Sequence, residues 1–180
     1  MSACRLIHSL HLKNFMLHRN TSFEMDTPVV LVCGANGSGK TQVLDALLLC
    51  TGYQSRRVRH AGPTGIIGKW DDHVTISCHI NNPVNASQKR VFADAPGFGD
   101  LVADCDLFEI CVSAARDRDA FTFHVRAELE QLEVRAKTLR QAFEKAGVEA
   151  QNSLSFTGEG TVGGFVGESS RSKLELFLET

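Results

Sequence analysis

The amino-acid sequence predicts an α/β fold in which a mixed sheet contains a central strand that leads into a glycine-rich loop and then a helix. Residues 29–33 are an unbroken apolar run, which is typical of a strand covered on both faces. Three glycines follow within residues 34–41, and residues 41–50 are helix-forming and mostly apolar. At 180 residues and 43% hydrophobic content, we expect residues 1–180 to form a single domain.

The strands before the loop are predicted from alternation and turn residues. Apolar and polar side chains alternate over residues 6–14, which is the period of a half-buried strand. Residues 22–25 predict a short second strand, and residues 26–28 predict the turn before the central strand. Gly52 is placed to end the helix that follows the loop.

The remaining elements are predicted less regularly. Residues 53–68 are basic and contain glycine, which predicts a loop, and strands are expected at 73–80, 107–112 and 121–125. Apolar residues at spacings of three and four over 125–146 predict one amphipathic helix of about six turns. That stripe is interpreted as core packing, because about three heptads are the minimum for a coiled coil. A glycine-rich segment at 158–167 and a last helix at 171–179 complete the chain.

Composition excludes several classes of protein. The formal charge of −2 gives no global basic field, so a DNA contact would need a local patch or a partner. The six cysteines form no C-x-x-C pair, which indicates reduced thiols in a cytosolic or nuclear protein. No run approaches the roughly 20 apolar residues of a membrane span, and the amino terminus lacks an apolar signal core. We therefore expect a soluble protein that is not exported and has no membrane partner.

The glycine loop has the pattern G-x-x-x-x-G-K-[ST], which binds a nucleotide triphosphate. Glycines let backbone N–H groups curl around phosphate oxygens, and the following helix adds its positive end. Lys40 is expected to reach the β and γ phosphates, Thr41 to ligate Mg²⁺, and Gln42 to reach the α phosphate. The predicted phosphate-binding residues are Asn36, Gly37, Ser38, Gly39, Lys40, Thr41 and Gln42.

The residues around the loop resemble a known family. The run Leu-His-Leu-Lys-Asn-Phe-Met-Leu-His at residues 10–18, the loop, and Val-Leu-Asp-Ala-Leu at 43–47 resemble the N-terminal head of the SMC (structural maintenance of chromosomes) ATPases and their double-strand-break-repair and RecN relatives. The arginines after the first helix, the strand ending near residue 82, and residues 152–160 are similar in order and kind. These are ABC-type P-loop ATPases, so the resemblance implies ATP with Mg²⁺ as the bound cofactor.

The resemblance also implies roles for individual residues. Adenine and ribose would be contacted near Lys13 and Asn14, and Arg57, within the arginine cluster of residues 56–59, would face phosphates or DNA. Residues 152–160 look like the family's Q-loop, with Glu159 in place of the usual glutamine. A carboxylate is a good hard ligand, so Glu159 is expected to hold Mg²⁺ and to act with Lys40 in catalysis.

Two family motifs are missing from this sequence. No hydrophobic run ends in Asp-Glu, as a Walker B site would, and no Leu-Ser-Gly-Gly signature is present. In the family both lie in the C-terminal half of the head. We therefore expect this chain to bind ATP but to hydrolyse it negligibly alone. The implied partners are the C-terminal half of the head, a second head in an ATP-sandwich dimer, and DNA through the assembly. The location would be the cytoplasm or nucleoid of a prokaryote or the nucleus of a eukaryote.

Three alternatives stay open on sequence alone. Residues 94–100, which include Asp94 and Gly97, resemble the switch motif of septin-like GTPases, although no guanine-reading segment follows. Residues 101–104 could be a short Walker B motif of a self-contained NTPase. The nucleotide could also join an interaction domain to its partner without being hydrolysed. The seven histidines form no tight ligand set and are interpreted as scattered surface or core residues.

Overall fold

A computed structural model describes residues 6–25, 27 and 29–148 of the chain. It confirms the α/β class, with a six-stranded sheet in the order β2-β1-β3-β4-β5-β6, and within the described residues every strand pair is antiparallel. The elements are β1 (Ile7–Phe15), β2 (His18–Glu24), α1 (Lys40–Cys50), α2 (Arg56–Gly65), β3 (His73–Asn81), α3 (Gly99–Val102), β4 (Leu107–Ala115), β5 (Arg118–Ala127), β6 (Glu130–Val134) and α4 (Ala136–Lys145). None of the helices in these ranges is long and apolar enough to cross a membrane.

One face of the sheet carries the core. Rows of cross-strand partners such as Leu12, Ile76, Val112 and Phe123 are all buried. Helix α1 packs against β3 and β4 on this face, and α2 packs against β4 and β5. The alternate positions, which include Lys13 and Thr75, carry mostly polar side chains on the opposite face. This alternation is the physical reason why β1, β3 and β4 could be predicted from sequence.

A cluster of phenylalanines extends the core under the second half of the chain. The ring of Phe92 lies edge-on to Phe108 and Phe143, with centroids 5.1 and 5.4 Å apart, and Phe98 lies 6.0 Å from Phe108. The segment before α3 and the helix α4 are thereby fixed to the sheet. Edge-to-face packing of this kind adds to the stability gained from burying each ring.

The predicted central strand at residues 29–33 is not a strand in the structure. Its backbone pairs with none of the six strands, and Val29 and Leu31 are 83% and 82% exposed. An apolar run becomes a central strand only when neighbours donate hydrogen bonds on both sides. Among the described residues this segment has no such neighbours, so the apolar composition alone did not make it a strand.

The predicted helix over residues 125–146 is wrong in its first half. Strand β5 continues to Ala127, the chain turns at Glu128 in the left-handed region (φ 51°), and β6 follows before α4 begins. Val125 and Leu132, which the helical spacing placed on one helix face, are cross-strand partners in a hairpin. Leu129 is fully exposed at the turn. The hydrogen bonds that pair β5 with β4 therefore outweigh the helical spacing of the apolar residues in this segment.

The predicted loop over residues 53–68 contains the helix α2. Ser55 caps it by accepting a hydrogen bond from the Val58 amide at 3.1 Å, and Val58 is completely buried. A non-helical residue, Gly62 (φ 70°), and Pro63 kink its second half. The glycines and proline suggested a loop, but the cap and the buried valine are enough to order the first turns.

Candidate nucleotide-binding site

The glycine loop lies between residues 29–33, which are exposed except for the half-buried Val32, and the first turn of α1. Residues 34–38 are exposed, whereas Gly39 is buried and has φ 95°, a left-handed conformation that glycine adopts without strain. Helix α1 begins at Lys40, so its amino end, with unpaired N–H groups, opens towards the loop. The predicted phosphate-binding residues 36–42 therefore lie together in the loop and the first turn of α1.

Lys40 is folded over this loop. Its Nζ atom donates hydrogen bonds to the carbonyls of Gly34 and Ala35 at 2.7 and 2.8 Å. The Ser38 amide also donates to the Ala35 carbonyl at 3.2 Å, which keeps the loop curled. The ammonium group thus occupies the concave side of the loop, where phosphate oxygens would compete with backbone carbonyls for it.

The residues present fit a magnesium ion only in the presence of phosphate. The described residues contain no group of three or more His, Cys, Asp or Glu side chains that could hold a metal. Thr41, half-buried in the first turn of α1, offers one hydroxyl oxygen. Mg²⁺ commonly takes one or two protein ligands and completes its shell with phosphate oxygens and water, which matches this donor set. Glu159, the second predicted metal ligand, lies outside the described residues.

Asn14, predicted to lie near the adenine and ribose, is hydrogen-bonded within the fold. Its Nδ2 atom donates to the carbonyls of Asp71 and His73 at 2.7 and 2.8 Å, and its Oδ1 atom accepts from the Trp70 amide at 3.2 Å. The side chain is 1% exposed. Both donor hydrogens of the side-chain amide are therefore used within the fold. Lys13, its neighbour, is exposed on the polar face of β1.

Gln42 is directed at the β1–β2 turn, whereas the sequence predicted that it would reach the α phosphate. Its Oε1 atom accepts a hydrogen bond from the Leu17 amide at 3.1 Å. The same turn also contacts the loop through His18, whose Nε2 atom lies 3.2 Å from the Gly39 carbonyl. The first turn of α1 is therefore tied to the hairpin at two points.

Arg57 lies on α2 and pairs with α1. Its Nη1 atom is 3.5 Å from Oδ2 of Asp45, whose side chain is only 8% exposed. That buried oxygen has no hydrogen-bond partner of ordinary geometry, so the guanidinium group is the charge that compensates it. Asp45 follows Thr41 by one helical turn, which places Arg57 near the site but with its charge on a carboxylate. The Arg57 side chain is still 46% exposed, and its contact with phosphate or DNA stays a prediction.

We expect Arg57→Ala to lower the free energy of unfolding by about 1–2 kcal/mol, because it leaves the Asp45 carboxylate buried without compensation. Arg56→Ala is the matched control, since Arg56 is exposed on the same helix turn. Urea denaturation followed by circular dichroism measures both variants. Equal stability of the two variants would show that the Asp45 pair contributes nothing.

The cysteines differ sharply in their surroundings. Cys33 is exposed immediately before the loop, whereas Cys50 and Cys78 are buried in the core. A hydrogen bond with the Cys78 thiol, together with burial, raises the pKa of Cys50 well above its ordinary value. Burial likewise raises the pKa of Cys111.

We expect a thiol reagent at about pH 8 to modify the exposed Cys33 much faster than Cys50, Cys78 or Cys111, because burial keeps the reagent away from these three thiols. The raised pKa of Cys50 and of Cys111 also keeps those two thiols protonated, and only the thiolate reacts. Peptide mass spectrometry after timed labelling measures the rates. Comparable rates at Cys33 and Cys50 in the folded protein would contradict the burial of α1 against β3.

The two rival phosphate-site motifs are not near the loop. Asp94 and Gly97 line an open cleft of about 710 Å³ with Glu130, Leu132 and Lys145, and no residue of the glycine loop lines it. This cleft adjoins β6, at the sheet edge opposite β2 and its contact with Gly39. Five strand spacings of about 4.8 Å put these edges on the order of 20 Å apart. The structure therefore gives the septin-like switch hypothesis no support.

The hypothesis of a short Walker B strand is wrong. Residues 101–104 belong to α3 and the turn after it, not to a strand. A Walker B carboxylate has to follow a strand that lies beside the loop, and a single helical turn near the opposite sheet edge cannot supply it.

Sequence reasoning missed His18 as a residue of the site. It was grouped with the scattered histidines, yet it is buried and lies against Gly39. The signal that could have identified it was its place in residues 10–18, the run that carried the resemblance. His18 begins β2, and its side chain there contacts Gly39 of the glycine loop.

Known proteins resemble this chain in both sequence and fold. An AAA domain family model matches residues 9–96. The DNA replication and repair protein RecF of Rickettsia canadensis is 30% identical over 82 residues, which are 46% of this chain and 22% of the relative. Structural maintenance of chromosomes protein 6 of Dictyostelium discoideum is 45% identical over 50 residues, 28% of this chain and 4% of the relative. The chain thus spans less than a quarter of the length of either relative.

The fold has a counterpart among solved structures. An SMC ATPase, studied for ATP-driven dimerisation and DNA-stimulated activation, matches with a TM-score of 0.72 over 97% of this chain and 98% of that chain, at 17% identity. At this identity the match shows the fold alone. The resemblance predicted from residues 10–18 and from the glycine loop is confirmed: the chain is similar in sequence to parts of RecF and SMC proteins and shares its fold with an SMC ATPase.

Proposed function

We propose that this chain binds ATP with Mg²⁺ at residues 34–42 and forms one part of a composite ATPase site in a DNA-repair or chromosome-organising assembly. The observation that carries the proposal is the glycine loop at the amino end of α1, with the Lys40 ammonium folded over it on the Gly34 and Ala35 carbonyls. Backbone amides, a helix N-terminus and a lysine are the groups that bind a triphosphate. Thr41 would hold Mg²⁺ together with the phosphates.

The proposal assigns hydrolysis to the complete assembly and not to this chain alone. Hydrolysis requires a positioned water and a group that stabilises charge developing on the γ phosphate. The loop supplies a cradle, a lysine and one metal ligand, and neither rival motif brings a second carboxylate near them. A role for Glu159 stays a prediction.

The exposed run at residues 29–33 supports a partner that adds strands. Val29 and Leu31 are more than 80% exposed, although the run joins the sheet-forming hairpin to the glycine loop. An unpaired apolar segment of this kind is completed by strand addition, which satisfies its backbone and covers its side chains. The proposed partner is the C-terminal half of the same head, with a second head closing over the bound ATP and DNA engaged through the assembly. The cytoplasm, nucleoid or nucleus is the proposed location.

The test is a titration of the purified chain with fluorescent ATP and GTP analogues, followed by addition of the separately expressed C-terminal half. We expect preference for ATP, negligible turnover before addition, and turnover after it. Labelling of Cys33 by a thiol reagent should slow on addition, since strand pairing would cover residues 29–33. A preference for GTP, or turnover by the chain alone that equals turnover by the pair, would refute the proposal.

A further inference from the structure

We infer that His18 is a positioning residue that orients the Lys40 backbone amide for phosphate binding. This inference rests on the proposed ATP site and assigns it a residue outside the glycine loop. His18 begins β2 and is 8% exposed. Its ring lies edge-on to Phe23, with centroids 6.2 Å apart at 74°, and its Nδ1 atom is 3.3 Å from the Thr21 hydroxyl.

The contact with Gly39 determines which ring nitrogen of His18 carries the hydrogen. The Gly39 carbonyl can only accept, so the Nε2 atom of His18, 3.2 Å away, must carry the hydrogen and donate it. In the neutral ring Nδ1 then accepts from the Thr21 hydroxyl. The ring is therefore held from both sides, between its own strand and the loop.

The carbonyl that His18 holds belongs to the peptide that carries the Lys40 N–H. The described residues have no cis peptide bond, and in a planar trans peptide the carbonyl and the next N–H point in opposite directions. Holding the Gly39 oxygen on the hairpin side therefore directs the Lys40 N–H to the other side. That N–H is one of the unpaired donors at the start of α1, which phosphate oxygens would bind.

The space around Gly39 is consistent with this close approach. A Cβ atom at Gly39 would lie 2.8 Å from His18 Nε2 and 3.2 Å from Gln42 Oε1. The backbone N–H of Gln42 donates to the same Gly39 carbonyl at 2.9 Å, and the side-chain Oε1 atom of Gln42 accepts from the Leu17 amide. Leu17 and His18 together thus fix the turn that opens α1, and only glycine leaves room for both contacts.

The test compares His18→Phe with His18→Gln. Phenylalanine keeps a packed ring but has no N–H donor, whereas the glutamine amide places an N–H near the position of Nε2. We expect His18→Phe to weaken ATP-analogue binding by about three- to tenfold, the worth of one hydrogen bond. His18→Gln should recover most of that loss. His11→Phe is the matched control, since His11 lies on the polar face of β1 and bonds Ser22.

A second readout needs no nucleotide. Amide hydrogen exchange of the first turn of α1, measured at Gln42, should speed up in His18→Phe and return towards the wild-type rate in His18→Gln. Unchanged exchange and unchanged affinity in His18→Phe would overturn the inference, and so would faster exchange with unchanged affinity. If wild type does not bind ATP while exchange responds as expected, the proposed function fails and the tie between His18 and the loop stands.

Discussion

Replacing Lys40 with alanine is expected to weaken ATP binding on the order of 100-fold, while the melting temperature changes little. The ammonium group bonds only to the Gly34 and Ala35 carbonyls within the described fold, both on the exposed loop. Its loss should therefore cost little stability. When a triphosphate is bound, the Lys40 ammonium group is a full positive charge beside negatively charged phosphate oxygens. Removing such a partner costs about 2–4 kcal/mol of binding free energy.

Lys137→Ala is the control for this prediction, because Lys137 is an exposed lysine on α4. Isothermal titration of the chain and both variants with a non-hydrolysable ATP analogue measures the effect. An Lys40→Ala affinity within threefold of wild type would mean that the nucleotide, if bound, is bound elsewhere.

Replacing Asn14 with alanine is expected to lower the free energy of unfolding by roughly 2–4 kcal/mol, because it leaves the Asp71 and His73 carbonyls and the Trp70 amide without their partner. Asn14 also has φ 54°, a left-handed conformation that alanine adopts less readily. For a chain of this size the loss corresponds to roughly 6–12 °C in melting temperature.

The control for Asn14 is Asn20→Ala, an exposed asparagine on β2, which we expect to change stability by less than about 0.5 kcal/mol. Thermal denaturation followed by circular dichroism measures both. An Asn14→Ala protein that melts like wild type but loses ATP binding would contradict this structural role and support a contact between the side chain and the nucleotide.

The elements that were predicted well from sequence are those whose pattern is set by their own residues. Strand β3 alternates buried and polar positions along its whole length, and helix α1 follows a glycine loop and precedes Gly52. In both cases the burial pattern or the glycine positions belong to the element itself. The phosphate loop is an extreme example, since its function follows from its own eight residues.

The elements that sequence predicted poorly depend on partners distant along the chain. Val125 and Leu132 fit one helix face, yet β4 draws residue 125 into a ladder and the hairpin brings residue 132 opposite it. The run at 29–33 has a strand's composition but no described strand to pair with. Propensity cannot report such pairings, because they are decided by non-local hydrogen bonds.

The same limit applies within the candidate site. The loop glycines, Lys40 and Thr41 could be named from the motif, whereas the pairing of Arg57 with Asp45 and the contact of His18 with Gly39 join separate elements. The contact of adenine and ribose near Asn14 stays a prediction, and sequence alone could not reveal that the Asn14 amide is buried and hydrogen-bonded within the fold.

The most direct test of the central claim follows the fate of bound ATP. The chain is incubated with Mg²⁺ and ATP labelled on the γ phosphate, and bound nucleotide and released phosphate are measured over time, first alone and then with the C-terminal half. We expect the wild-type chain to retain intact ATP and the Lys40→Ala variant to retain none. Phosphate should appear only after the C-terminal half of the head is added. Failure to retain ATP, or equal phosphate release without the second half, would contradict it.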